Sequence, residues 1–184
     1  MNLPDSEKLA VSLGRLFITL NLQDFREHLL MRHREWHQKV KEAVKLGLDE
    51  PGEAARRLLE LVEEIEPLMR EHLSEWHLVQ TLGVAASFLE RAGDLKRAAE
   101  VFARIVEIER GCVSYHGRSL ANSLAEFALL KFRVGDRDEG AALAEETLKW
   151  LGQFPDSSTV FDKVMQELRT YRQQKQEEEG DDRS

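Results

Sequence analysis

Residues Ala86-Ser87-Phe88-Leu89-Glu90-Arg91-Ala92-Gly93-Asp94-Leu95-Lys96-Arg97-Ala98 hold the end of one helix, a turn and the start of the next. Gly93 is the residue type that ends a helix in the left-handed conformation, and Asp94 is a type that caps the following one. A small residue stands on either side of the turn, Ala86 before it and Ala98 after it. This segment has a counterpart before it and another after it. Ala43, Ala86 and Ala128 are spaced by 43 and 42 residues, and Ala55, Ala98 and Gly140 repeat the same two intervals. Four residues beyond the second set come Leu59, Phe102 and Ala144, still in step. A fixed period of this size means stacked helical hairpins, each too small to bury its own apolar face.

Working outward, apolar residues at helical spacing predict a helix over 5–21 (Leu9, Leu13, Leu16, Phe17, Leu20) and another over 24–46 that stops at Gly47. Pro51 and the acids around it restart the chain, and Pro67 is expected to end or kink the helix that follows. Further helices are expected over 75–92, 95–110, 118–134 and 136–151, with a loop over 111–117 and a Gly135-Asp136 turn repeating Gly93-Asp94. Ser157 or Ser158 can cap a last helix containing Phe161, Val164 and Leu168. The expected organisation is an N-terminal helix (1–22), three hairpins (24–152), a capping helix (156–172) and an acidic, disordered tail (173–184). The fold class is all-α: a right-handed stack of helical hairpins with an extra helix at each end.

Composition narrows the function. The chain has 184 residues, 42% of them hydrophobic, and a formal charge of −8. Acidity of this degree disfavours nucleic acid, whose binding depends on neutralising phosphates, and it disfavours anionic membrane. The one cysteine, Cys112, fits a reducing compartment and reads as a small packing residue. The start of the sequence lacks the basic and apolar segments of a signal peptide, and no apolar run approaches a membrane span. A cytoplasmic protein is expected. No phosphate loop or nucleophile–base pattern stands out, so no enzyme activity and no cofactor are expected.

The small-residue pattern resembles the tetratricopeptide repeat. That family places a small residue midway in its first helix, a second early in the second helix, and a bulky residue four later. Ala55 to Leu59 with Pro67, and Ala98 to Phe102, match the second-helix signature; Gly140 to Ala144 is a degenerate copy. The family's first-helix aromatic is replaced by Lys39, Leu82 and Leu124, and its later tyrosine by Leu46, Leu89 and Lys131. The long period is similar to the subtype found in kinesin light chains, whose paired asparagines correspond here to Gly83-Val84 and Ala125-Glu126.

The resemblance implies that the first helices of successive hairpins line a concave groove reading a peptide, a helix or a partner subunit. The chain would then be an interaction adaptor, scaffold or assembly subunit. The groove would present His37, Val40 and Val44, then Gln80, Gly83, Ser87, Glu90 and Arg91, then Asn122, Ala125, Leu129, Phe132 and Arg133. His37, Gln80 and Asn122 would form a polar ladder suited to peptide backbone. The basic clamp of some family members is absent, with Val40 and Val44 in its place. The chain's own end helix could instead fill the groove, and the first helix could pair with its copy in a homo-oligomer. An alternative is a helical metalloprotein using His33, His37, His72 and His77, because the first two stand at i and i+4 on one face.

Overall fold

The computed structural model describes residues 31–72, 75–151 and 159–181, which form seven helices and no strand. They are α1 (31–46), α2 (Pro51–His72), α3 (Trp76–Arg91), α4 (Leu95–Gly111), α5 (Val113–Val134), α6 (Arg137–Leu151) and α7 (Thr159–Asp181). The helix expected over 5–21 and the capping serines 157 and 158 lie outside the described residues.

The chain separates into two compact units, Met1–Glu42 and Ala43–Ser184. In the first, the described residues are 31–42, which belong to α1. Trp36 is buried there, and the His33 and His37 rings meet edge to face with centroids 4.4 Å apart.

The second unit is an all-α stack of hairpins in which each helix packs on the next in sequence and α7 packs on both α5 and α6. The small residues that set the period are interior: Ala43, Ala55, Ala86, Ala98 and Ala128 are all buried. Around them lie Leu58, Leu78, Leu82, Ile105, Leu120 and Leu124, with essentially no exposure. Burying a side chain of this size contributes about 1.5–3 kcal/mol. The unit therefore holds together through its helix faces rather than through helix propensity.

Layer-to-layer polar contacts reveal two rows. On the outer row, Arg104 of α4 pairs with Glu63 of α2 at 2.6 Å and also with Glu66, and Arg110 pairs with Glu146 of α6 at 2.7 Å. On the inner row, Arg91 of α3 donates to the Leu48 carbonyl at 3.3 Å, and Arg133 of α5 pairs with Glu90 of α3. Arg91 and Arg133 occupy equivalent repeat positions, and each reaches 43 residues back along the chain.

Both glycine turns are built identically. Gly93 and Gly135 have φ of 84° and 89°. In the first turn, Gly93 and Asp94 N–H groups donate to Glu90 and Leu89 carbonyls; in the second, Gly135 and Asp136 donate to Phe132 and Lys131. This is the bonding pattern of a left-handed glycine stop. Asp94 then caps α4, accepting from the Arg97 N–H at 3.2 Å. Replacing Asp94 with Ala leaves that donor without its side-chain acceptor. Chemical unfolding should show a loss of about 1 kcal/mol; no loss would remove the cap from the account of the turn. At the second turn Lys131 holds Asp136 at 3.0 Å and Glu139 at 2.6 Å. It stands at the position of the repeat family's tyrosine, and here it closes the turn by charge.

Three boundaries differ from the sequence expectation. Helix α2 runs through Pro67 to His72. Buried Leu58, Leu61, Val62 and Ile65 anchor the turns before it, and such packing can offset the roughly 3 kcal/mol intrinsic cost of an interior proline. The loop expected over 111–117 reduces to Cys112, since α4 ends at Gly111 and α5 begins at Val113. Finally, α7 continues to Asp181, where a disordered tail was expected from 173. Its Gln, Lys and Glu residues are good helix formers even without an apolar anchor.

Candidate surface on the inner row of helices

Helix α3 buries Leu78, Val79, Leu82, Ala85, Ala86 and Leu89, which leaves a stripe at Gln80, Gly83, Ser87 and Glu90 accessible. In α5 the spacing of Asn122, Glu126, Leu129 and Arg133 (four, three, four) places them on one helical face. In α7, buried Phe161, Val164 and Leu168 fix the packed side and leave Lys163, Gln166 and Glu167 outward.

These stripes meet in a pocket of about 430 Å³. Its walls are Glu90 from α3, then Glu126, Leu129, Leu130 and Arg133 from α5, and Lys163, Gln166 and Glu167 from α7. Within it Arg133 is committed to Glu90. The Glu126 carboxyl is half-buried and held above the ordinary carboxylate range, first by desolvation and then by the Glu90 charge; Lys163 and Arg133 pull it the other way. A hollow of similar size on the outer row, about 400 Å³ between α2 and α4, differs in character. There Arg56 is paired with Glu53 and Glu60, and Arg104 with Glu63 and Glu66.

Of the residues expected on the groove, Glu90, Leu129 and Arg133 come together in this pocket. Gln80, Ser87 and Asn122 are exposed on the same helices, with the Ser87 hydroxyl bonded to the Gly83 carbonyl at 3.1 Å. Arg91 lies over the Phe88 ring and bonds Leu48, which makes it a brace between layers. Phe132 turns away from the pocket. A Cβ built on Gly140 would lie 3.1 Å from its ring, and Tyr171 of α7 sits 6.4 Å away between centroids. Ala125 is fully buried and presents nothing to a groove. His37 is exposed in the first unit, and His33 beside it could offer a second imidazole nitrogen.

Five pocket residues escaped the sequence reading: Glu126, Leu130, Lys163, Gln166 and Glu167. Glu126 is legible from its spacing to Asn122 and Leu129, although repeat alignment presents it only as a mismatch to an asparagine. Carrying the 42-residue interval once more maps Ala125 to Glu167, but it sets Lys163 and Gln166 against buried Ala121 and Leu124, so the period does not reveal those two. Helix α7 packs on α5 and completes the pocket without keeping the register of the repeat.

Cys112 offers little reactivity. Hydrogen bonding to Glu75, then burial, raises its thiol above the ordinary range and favours the protonated form. Among the described residues no helix is long and apolar enough to cross a membrane.

Fold and surface together define a helical-hairpin stack whose inner row carries an accessible polar pocket. No protein-family model matches the chain, and no curated protein matches it.

Proposed function

We propose that this chain is a tetratricopeptide-like interaction adaptor or assembly subunit that binds a peptide, a helix or a partner subunit on the inner face of α3, α5 and α7. The observation carrying this reading is the convergence of three non-consecutive helices on one accessible pocket that also has an apolar component, half-exposed Leu129. Hairpin arrays gain their binding surfaces in this way, each unit adding a stripe to a shared face. The single cysteine and acidic composition suit a cytoplasmic setting.

A photo-reactive amino acid at Asn122, compared with the same residue at exposed Glu100 on α4, tests the reading in a lysate of the source cells. A discrete crosslinked partner is expected at Asn122, displaced by excess unmodified chain, and none at Glu100. Crosslinks at Glu100 alone, or equal crosslinks at both, would move the contact off the inner row.

A further inference from the structure

The pocket between α3, α5 and α7 brings together three acids and two cations, yet only Glu90 and Arg133 form an ion pair within it. Among the described residues Glu126 receives no hydrogen bond and forms no ion pair, and the same holds for Lys163 and Glu167. The uncommitted groups are therefore two carboxylates and one amine.

Glu126 is the most constrained of them. Its carboxyl is half-buried, with Glu90 near enough to disfavour its charge. A carboxylate partly withdrawn from water and left without a partner costs free energy until a cation replaces the lost hydration. Arg133 is already occupied by Glu90. Lys163 is close enough to influence Glu126 but does not bond it.

Apolar surface lies beside this acid. Half-exposed Leu129 lines the same pocket, and long cationic side chains lay their methylenes on such surface while the head seeks a counter-charge. A space of about 430 Å³ exceeds one side chain and leaves room for the backbone carrying it. An acidic partner would meet Glu126 and Glu167 unpaired. At longer range the chain's net charge of −8 also attracts a basic one.

We propose that this pocket receives a lysine or arginine side chain of a partner peptide, with Glu126 as its counter-ion and Leu129 beneath its methylenes. The proposal rests on the interaction reading above and gives that partner its chemistry.

The test uses the full chain and a library of short random peptides displayed on phage, depleted first on a Leu129→Arg variant so that only readers of this pocket remain. Each binder is then synthesised with its basic residue neutralised, arginine to citrulline or lysine to acetyl-lysine. Both forms are titrated calorimetrically against the unmodified chain and against Glu126→Gln. Binders should share a basic position. Neutralising it should weaken binding about tenfold or more, as loss of a charged hydrogen bond does. Glu126→Gln should weaken it similarly, and the two changes together should cost little more than either alone. Pocket binders indifferent to both changes would overturn the basic-side-chain inference and leave the interaction reading standing. A library yielding nothing sensitive to Leu129→Arg would remove both. The neutralised peptides need no protein variant, so a folding defect in Glu126→Gln would not blunt the result.

Discussion

Ala98→Trp should lower the unfolding free energy by about 3 kcal/mol or more, the upper part of the range for overpacking a closed interior. Ala98 follows the Gly93-Asp94 turn, its N–H bonds the Asp94 carbonyl at 3.0 Å, and it has no exposed surface. Ala86 of the facing helix in the same hairpin is equally buried. Helices approach to about 8–10 Å only where facing side chains are small. An indole at Ala98 must displace α4 from its neighbours or leave its rotamer wells. For a chain of this length the midpoint of thermal unfolding should fall by roughly 6–12 °C. Ala142→Trp, on the exposed side of α6, is the matched control and should shift stability by no more than about 0.5 kcal/mol. Equal midpoints for the two variants would mean that Ala98 does not mark the close approach within the hairpin.

That Ala98 could be chosen from sequence shows which part of the molecule is written locally. The spacing of small residues, and the Gly-Asp turns that separate the helices, obey short-range rules. Both survive in the structure: the alanines are buried, and Gly93 and Gly135 adopt the left-handed conformation with matching bonds. Boundaries that depend on packing were harder to read. Pro67 and the Gly111–Gly117 stretch look like breaks by propensity, but α2 runs through the first and the second narrows to Cys112 between α4 and α5. Propensity is worth about 1 kcal/mol at glycine and about 3 at proline, and a buried helix face can offset it.

The candidate site divides in the same way. Glu90, Leu129 and Arg133 were legible because repeat alignment puts them on first helices. Whether such a residue faces a partner or its own neighbour depends on the adjacent layer. Phe132 illustrates this, since the absent side chain at Gly140 opens the space its ring occupies. Arg91 does too, because the Leu48 carbonyl that accepts from it belongs to the preceding hairpin. Glu126 was visible by its spacing. Its partial burial became apparent only once α7 had been placed beside α5, with Lys163 and Glu167 on the facing wall.

Gly47→Ala is expected to destabilise the protein by about 1–3 kcal/mol, although glycine to alanine near a helix end is often harmless. The sequence offers Gly47 as a helix stop, for which a left-handed backbone would be the reason. The positive-φ glycines among the described residues are Gly93 and Gly135, so Gly47 is not held there by its backbone conformation. What requires a glycine is Phe88. A Cβ at position 47 would lie 2.2, 2.4 and 2.6 Å from three atoms of its ring. That ring is only 7% exposed, so displacing it disturbs a packed interior. Gly83→Ala supplies the contrasting sign. Gly83 lies inside α3, where a Cβ would meet nothing within 4 Å. Alanine there should stabilise by about 0.5–1 kcal/mol through helix propensity. The cause of the Gly47 effect can be isolated with Phe88→Leu. Because a smaller side chain relieves the clash, Gly47→Ala should cost less in the Phe88→Leu background than in the wild type, with a coupling of about 1 kcal/mol in a double-mutant cycle. Additive unfolding free energies would show that Gly47 answers to something other than the Phe88 ring.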